Sequence, residues 1–68
     1  MTIEIMLNGE AKSLPAGHNV QNLIDTLGLT GQALAVAVNR QVVPRASWQQ
    51  RVLQASDRVE IVRAIGGG

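Results

Sequence analysis

The sequence predicts an α+β domain in which one main helix packs on one face of a mixed sheet of four to five strands. Two observations lead to this prediction: several short segments have strand-like apolar patterns, and one segment has apolar residues at helical spacing. A single helix cannot bury its own apolar side, so it must lie against the sheet. The chain has 68 residues, which is enough for one small core. We expect one domain over residues 1–65 and a flexible glycine tail over residues 66–68.

The chain opens with a predicted β-hairpin. Apolar residues alternate with others over residues 3–7, which is the period of a half-buried strand. Asn8-Gly9 then supplies the pair favoured in two-residue hairpin turns, because both turn positions need a positive φ. A second strand follows over residues 10–14, and Pro15 ends it because proline has no N–H to donate.

The main helix is predicted to begin after Asn19, whose side chain can accept a hydrogen bond from a free N–H of the first turn. Gly28 is expected to end the helix in a left-handed conformation, with Leu29 folding back onto it. Between these signals, apolar residues at i, i+3, i+4 and i+7 form one stripe, made of Val20, Leu23, Ile24 and Leu27.

The middle of the chain predicts two short strands and a helical turn. Residues 33–38 are continuously apolar, as expected for a strand that is covered on both sides or bounded by a helix. After a turn at Asn39, a brief strand at Val42-Val43 ends at Pro44. Residues 45–50 lack alternation and predict a helical turn.

Trp48 is the only aromatic residue, and it has two interpretations. We expect it to cover the edge of the core, with its indole N–H facing a carbonyl or water. A role in partner binding is the alternative, because tryptophan is enriched at interfaces.

The final strand is predicted over residues 58–65, after an extended piece at 52–53 and a turn at 55–57. Val59 and Ile61 should face the core. If this strand lies beside the first one, right-handed crossovers allow the two to run parallel. The resulting arrangement, ββαββ with one helix against the sheet, is a β-grasp.

The sheet face away from the helix should carry an apolar patch beside the root of the tail. Met6 of the first strand and Val62 and Ala64 of the last would lie on it, with charged residues around them. Such a patch beside an exposed terminus is a candidate docking site for a partner. The docking residues that we predict are Met6, Val62, Ala64 and Ile65.

The last three residues, Gly66, Gly67 and Gly68, carry no side chains, and Gly68 would hold its α-carboxylate at the tip of the segment. They have two interpretations. They are either a frayed end, which is common at termini, or a means of presenting a carboxylate for chemistry in a partner's narrow channel.

Composition argues against several classes of function. Six basic and five acidic residues give a net charge of +1, which with one aromatic residue is a poor footprint for nucleic acid. The chain has no cysteine, so it offers no disulfide, no Cys-based metal site and no thiol nucleophile. His18 is expected to be solvated in a turn. The acidic residues are scattered and are predicted to be solvated: Glu4, Glu10, Asp25, Asp57 and Glu60.

We therefore expect a protein that is neither an enzyme nor a metal-binding protein and that holds no cofactor of its own. The first ten residues lack the pattern of a signal peptide, and no apolar run has the length of a transmembrane helix. The absence of cysteine also fits the cytosol. We expect a cytoplasmic protein.

One set of features runs along nearly the whole chain: Asn8-Gly9 after the opening strand, the helix over residues 20–27, AVAVN at 35–39, Val43-Pro44-Arg45 followed by Trp48, and VEIV at 59–62 leading into Gly66-Gly67-Gly68. With these features the chain resembles the ThiS proteins, which are β-grasp sulfur carriers of the thiamine-thiazole pathway within the ubiquitin-like class. One departure is Ser56-Asp57 before the last strand. The family usually has Gly-Asp there, at a position where a positive φ is expected.

The resemblance implies a covalent carrier and not a catalyst. It implies that a ThiF-like adenylyltransferase uses MgATP to adenylate the Gly68 carboxylate, and that a sulfur donor protein converts the adenylate to a thiocarboxylate. A ThiG-like thiazole synthase would then take the sulfur. Three alternatives stay open: a subunit like the small subunit of molybdopterin synthase, a ubiquitin-like protein modifier, and a plain interaction module.

Overall fold

The structure is a computed structural model that describes residues 1–63, and it contains the predicted mixed sheet with one α-helix. A short 3-10 helix at Arg45–Ser47 lies between the fourth and fifth strands. The elements in chain order are β1 (Thr2–Leu7), β2 (Glu10–Pro15), α1 (Val20–Thr26), β3 (Leu34–Val38), β4 (Gln41–Val42) and β5 (Arg58–Arg63).

The five strands lie side by side in the order β2-β1-β5-β3-β4. β1 and β5 are parallel, whereas the other three neighbouring pairs are antiparallel. α1 packs on one face, where Val20, Leu23 and Ile24 join the side chains of the sheet in one core. The predicted β-grasp, with the last strand beside the first, is therefore confirmed.

The β1–β2 hairpin forms as predicted. Leu7 pairs with Glu10, and the two residues between them, Asn8 and Gly9, have φ angles of 49° and 84°. β2 runs one residue further than expected, because Pro15 still pairs with β1. Proline is tolerated there since β2 is an edge strand.

Both ends of α1 carry the predicted caps. Asn19 Oδ1 accepts from the N–H of Asn22 at 2.7 Å, and Asn22 Oδ1 accepts from the N–H of Asn19 at 3.0 Å, which makes a capping box. At the other end Gly28 has a φ of 72°, and the N–H of Leu29 donates to the carbonyl of Ile24 at 3.1 Å. This bond from Leu29 to Ile24 belongs to a Schellman motif, which ends the helix.

β3 and β4 differ from their predictions. β3 begins at Leu34, and the burial of its residues alternates along the strand. Val36 and Val38 are buried, whereas Ala35 is exposed. Cover on both sides is therefore wrong for this strand, since α1 covers only one face of the sheet. The brief strand predicted at Val42-Val43 lies one residue earlier, with Val42 exposed and Val43 buried.

Trp48 occupies the predicted core position. It is buried, and its Nε1–H donates to the carbonyl of Val43 at 2.9 Å. The guanidinium of Arg45 lies over the indole at 5.1 Å from the ring centroid and also donates to the carbonyl of Gln32 at 2.6 Å. Because the ring is buried in the core, the alternative interpretation, in which Trp48 contacts a partner, is wrong.

His18 is less exposed than predicted. It is half-buried, and its carbonyl accepts from the N–H of Leu53 at 2.8 Å. This contact places residues 18–19 beside the extended piece at 52–53, where Asn19 forms a single bridge with Val52.

In β5, Val59 is buried and Ile61 is half-buried against the core, as predicted. The strand is described as far as Arg63. The predictions that place Ala64 and Ile65 in this strand, and those for the glycine tail, lie outside the described residues.

Candidate functional site

The face of the sheet turned away from α1, called the outer face below, takes every second residue of each strand. The register shows which residues share it, because Met6 lies opposite Ala11 on one side and Arg58 on the other, and Glu60 lies opposite Ala37. Its central residues are Glu4, Met6, Ala11, Ser13, Ala35, Ala37, Val42, Arg58, Glu60 and Val62.

Apolar side chains on this face are open to solvent. Met6 is 38% exposed, Val62 62% and Val42 76%. Met6 and Val62 therefore lie where the sequence predicts, and their role in docking stays a prediction. Ala64 and Ile65, the other two predicted docking residues, are outside the described part of the chain.

β3 and β4 also contribute to the outer face, which was not predicted from the sequence. Ala35 lies opposite Val62, and Ala37 lies between Glu60 and Val42. The available signal was the alternation of residue size in ALAVAV. The larger side chains face α1, and the alanines form a low surface from which Val42 and Val62 project.

A concavity of about 700 Å³ opens at the sheet between the two hairpin turns. Arg58, Val59 and Glu60 of β5 form its centre, and Arg40 of the β3–β4 turn lines it from one side. From the opposite side it is lined by Met6, Asn8 and Gly9. The concavity, called the cleft below, therefore combines an apolar residue with charges of both signs.

The side chain of Asn8 extends the sheet beside β5. The backbone of β1 pairs with β5 only as far as Val59, whose carbonyl accepts from the N–H of Asn8 at 2.9 Å. Beyond that point, Asn8 Oδ1 accepts from the N–H of Ile61 at 3.0 Å, and Asn8 Nδ2 donates to the carbonyl of Ile61 at 3.3 Å. The carboxamide thus takes the place of a peptide group and holds the strand that leads to the tail.

A polar network fixes the beginning of β5. Asn39 Nδ2 donates to Asp57 Oδ1 at 2.9 Å, and Asn39 Oδ1 accepts from the N–H of Arg58 at 2.9 Å. Asp57 Oδ2 also accepts from the N–H of Gln54 at 2.8 Å and lies 3.8 Å from Arg51 Nη2. The prediction of a solvated Asp57 is wrong, because these bonds draw the residue to 7% exposure.

On the helix side, Asp25 has a pKa below its ordinary value. The hydroxyl of Thr30 and the amide of Gln21 donate to Asp25 Oδ1 at 2.6 and 2.9 Å and stabilise the ionised form. This carboxylate lies on the surface of α1 and is not part of the outer face.

The structure also bears on metal and membrane sites. Within residues 1–63, no group of three or more His, Asp or Glu side chains is arranged to hold a metal ion. None of the helices in this part of the chain is long and apolar enough to cross a membrane.

Comparison with known proteins gives consistent matches over almost the whole chain. The sequence profile of the ThiS family matches residues 5–68. The sulfur carrier protein ThiS of Escherichia coli (strain K12) is 33% identical over 66 residues, which cover 97% of this chain and 100% of that protein. A solved structure of the thiamine biosynthesis protein ThiS from Geobacter metallireducens superposes with a TM-score of 0.81 at 23% identity, over 97% of this chain and 100% of that chain.

A second kind of relative is longer. The thiazole synthase of Magnetococcus marinus (strain ATCC BAA-1437 / JCM 17883 / MC-1) is 39% identical over 66 residues. The match covers 97% of this chain but only 20% of that protein. The chain therefore corresponds to about one fifth of that synthase.

Proposed function

This chain belongs to the ThiS family, and from that premise we propose that it is a sulfur carrier protein of thiamine biosynthesis. The observation that carries the proposal is the extent of the match. The family profile runs from residue 5 through the last glycine, and the relative in Escherichia coli that is named a sulfur carrier is matched over its full length.

The reacting group in this proposal is the carboxylate of Gly68. A free C-terminal carboxylate has a pKa of about 3.3–3.7, so at pH 7 it is an anion and a poor electrophile. Activation by MgATP removes this obstacle: a carboxylate oxygen attacks the α-phosphorus, pyrophosphate leaves, and an acyl-adenylate forms. Sulfide can then displace AMP and leave a thiocarboxylate. A persulfide donor would give an acyl disulfide, which a thiol must cleave by supplying two electrons.

This chain would supply the carboxylate and a docking surface, and its partners would supply the catalytic groups. It has no cysteine, so the persulfide must be on another protein. We expect a ThiF-like adenylyltransferase to hold the MgATP and to dock on the outer face around Met6 and Val62. Gly66 and Gly67, which have no side chains, would let the tail enter a narrow active site.

The acceptor of the sulfur would be a thiazole synthase. The support for this partner is that a thiazole synthase carries a segment similar to 97% of this chain. We expect the carrier to meet this enzyme, the adenylyltransferase and the sulfur donor in the cytoplasm.

Intact-mass measurement tests the proposal. The purified protein is incubated with MgATP, the adenylyltransferase and sulfide, and is then treated with a thiol-alkylating reagent. Alkylation is needed because exchange of oxygen for sulfur nominally matches oxidation of Met1 or Met6. Since the chain has no cysteine, an alkylated C-terminal fragment identifies a thiocarboxylate. The starting mass also shows whether the carboxylate of Gly68 is free.

The matched control is a protein that ends at Gly67. The expected result is alkylation of the full chain and none of the shortened one. An adenylate that is passed to lysines of other proteins would identify a protein modifier instead. A full chain with a free Gly68 carboxylate that a competent adenylyltransferase leaves unchanged would show that the proposal is wrong.

A further inference from the structure

The two hairpin turns of the sheet have the same backbone geometry but different residues at the second position. Each turn has two residues between its paired ends, and both residues have a positive φ. In the β1–β2 turn they are Asn8 and Gly9, at 49° and 84°. In the β3–β4 turn they are Asn39 and Arg40, at 52° and 68°. Glycine suits this conformation, whereas the Cβ of arginine makes it strained.

The hydrogen bonds and ion pairs within residues 1–63 do not explain an arginine at position 40. Asn39 already connects the β3–β4 turn to β5 through its bonds to Asp57 and Arg58. The side-chain hydrogen bonds that arginines donate within residues 1–63 come from Arg45 and Arg51. The one ion pair in that part of the chain joins Arg51 to Asp57. A strained residue whose side chain makes no hydrogen bond or ion pair within residues 1–63 indicates a function for that side chain outside the domain.

Arg40 lines the cleft together with Arg58. Arg58 lies on the outer face of β5 and is exposed, and its guanidinium also makes no hydrogen bond or ion pair within residues 1–63. Glu60 is the acidic residue of the same cleft. Two positive charges and one negative charge leave a single positive charge in the cleft, so it suits a ligand with one negative charge.

We propose that Arg40 and Arg58 bind the carboxylate of an aspartate or glutamate side chain of the adenylyltransferase. A guanidinium presents its N–H groups as a fork that matches a carboxylate in two-point contact. Met6 lies in the cleft and also belongs to the exposed apolar surface of the outer face, so a docked protein would cover both. Its side chain offers an apolar contact for the methylene groups of the acidic residue. This inference rests on the proposed function and names the chemistry of its first partner.

The test uses Arg40→Gly and Arg58→Gln in the full chain, with Lys12→Gln as the control. Each variant loses one positive charge, but Lys12 lies outside the cleft. Pyrophosphate release by the adenylyltransferase is measured against the concentration of carrier at low and high salt. We expect Arg40→Gly and Arg58→Gln each to raise KM roughly tenfold at low salt, with a smaller effect at high salt. The control should keep the KM of the unaltered protein.

Thermal unfolding of the same variants supplies a second readout. Arg40→Gly should raise the Tm, because glycine relieves the strain at φ 68°. A variant that is more stable and yet binds its partner less well separates recognition from a structural role. A Tm that falls would show that Arg40 stabilises the fold and would overturn the argument from strain.

The remaining outcomes are also decisive. If both arginine variants keep the KM of the control, the inference is wrong while the sulfur carrier proposal stands. If the adenylyltransferase releases no pyrophosphate from ATP in the presence of the unaltered carrier, the proposed function fails and the inference fails with it. If sodium phosphate inhibits the unaltered carrier more strongly than sodium chloride at equal ionic strength, and this difference is absent from Arg40→Gly and Arg58→Gln, the cleft binds phosphate and the carboxylate is the wrong ligand.

Discussion

The inner and outer faces of the sheet differ in what determines their residues. On the inner face, large aliphatic side chains pack against α1, and Ile5 is completely buried. Its neighbour Met6 points to the outer face and is 38% exposed. The outer face combines alanines, a few exposed apolar residues and charges, and the turns that border it are held by hydrogen bonds. Burial against α1 therefore determines the residues of the inner face, whereas the exposed residues of the outer face are not constrained by the core.

The most direct way to break this comparison is to truncate two neighbours in β1. Ile5→Ala removes a fully buried side chain and leaves a cavity, so the free energy of unfolding should fall by about 2–5 kcal/mol. Met6→Ala should lower it by less than about 1 kcal/mol, because the side chain is partly in water already. Urea denaturation of both variants measures the two values.

Partner binding should show the opposite order. Met6→Ala should raise the KM for adenylation, whereas Ile5→Ala should leave it close to the unaltered value at temperatures where the variant is folded. Equal losses of stability in the two variants would contradict the prediction that the inner face determines stability and the outer face determines partner binding.

The second prediction concerns a polar residue that is buried beside the sheet. Asp57→Asn replaces one acceptor oxygen by an amide, so a donor among Asn39, Gln54 and Arg51 loses its partner. A buried donor without an acceptor costs about 1–3 kcal/mol, which is the loss that we expect in the free energy of unfolding. Glu60→Gln neutralises an exposed carboxylate and should change the free energy of unfolding by no more than about 0.5 kcal/mol. Similar urea midpoints for the two variants would contradict the importance of the network.

The third prediction separates the two roles of Asn8. Asn8→Gly keeps the turn conformation but removes both bonds to Ile61, and Asn8→Asp keeps only the bond from the Ile61 N–H. We expect losses of about 1 kcal/mol for glycine and less for aspartate. Amide hydrogen exchange at Ile61 should be faster in the glycine variant and close to normal in the aspartate variant. Unchanged exchange in both would show that the carboxamide does not hold β5.

Local signals made much of the fold predictable from the sequence. Asn8-Gly9 sets the hairpin turn, and Asn19 and Gly28 set the ends of the helix, because each acts on backbone groups within a few residues. The parallel pairing of the last strand with the first followed from matching apolar faces. Trp48 was also predictable, since a single large aromatic side chain with one N–H suits the edge of a small core.

The site was less predictable because its contacts join distant parts of the chain. Asn8 and Ile61 are separated by 53 positions, and Asn39 and Asp57 by 18. Asparagine and aspartate are common in turns, so their place in a turn already explains them. The sequence therefore does not indicate a second role for either residue. The outer residues of β3 were missed for another reason. Alanine counts as apolar in a pattern, although in this strand its small size leaves a surface open.

The smallest expected effect comes from the turn before β5. Ser56 has a φ of 70°, the positive value expected where the family usually has glycine, and its N–H donates to the carbonyl of Glu4 at 2.8 Å. Ser56→Gly should relieve strain of about 1–2 kcal/mol while keeping this backbone bond. Glycine also makes the unfolded chain more flexible, which costs about 0.5–1 kcal/mol. The net result should be a gain in stability of about 0.5–1 kcal/mol.

Thermal unfolding of Ser56→Gly and of Ser13→Gly measures this balance. Ser13 lies on the outer face in the extended edge strand β2, so there glycine brings the entropy cost without relief of strain, and the Tm should fall. Opposite shifts from one substitution at two exposed serines would show that backbone conformation, and not burial, sets stability in the turns that border the outer face. Two downward shifts would mean that the turn at Ser56 holds little strain, because the bond to Glu4 and the adjacent Asp57 network already stabilise its left-handed conformation.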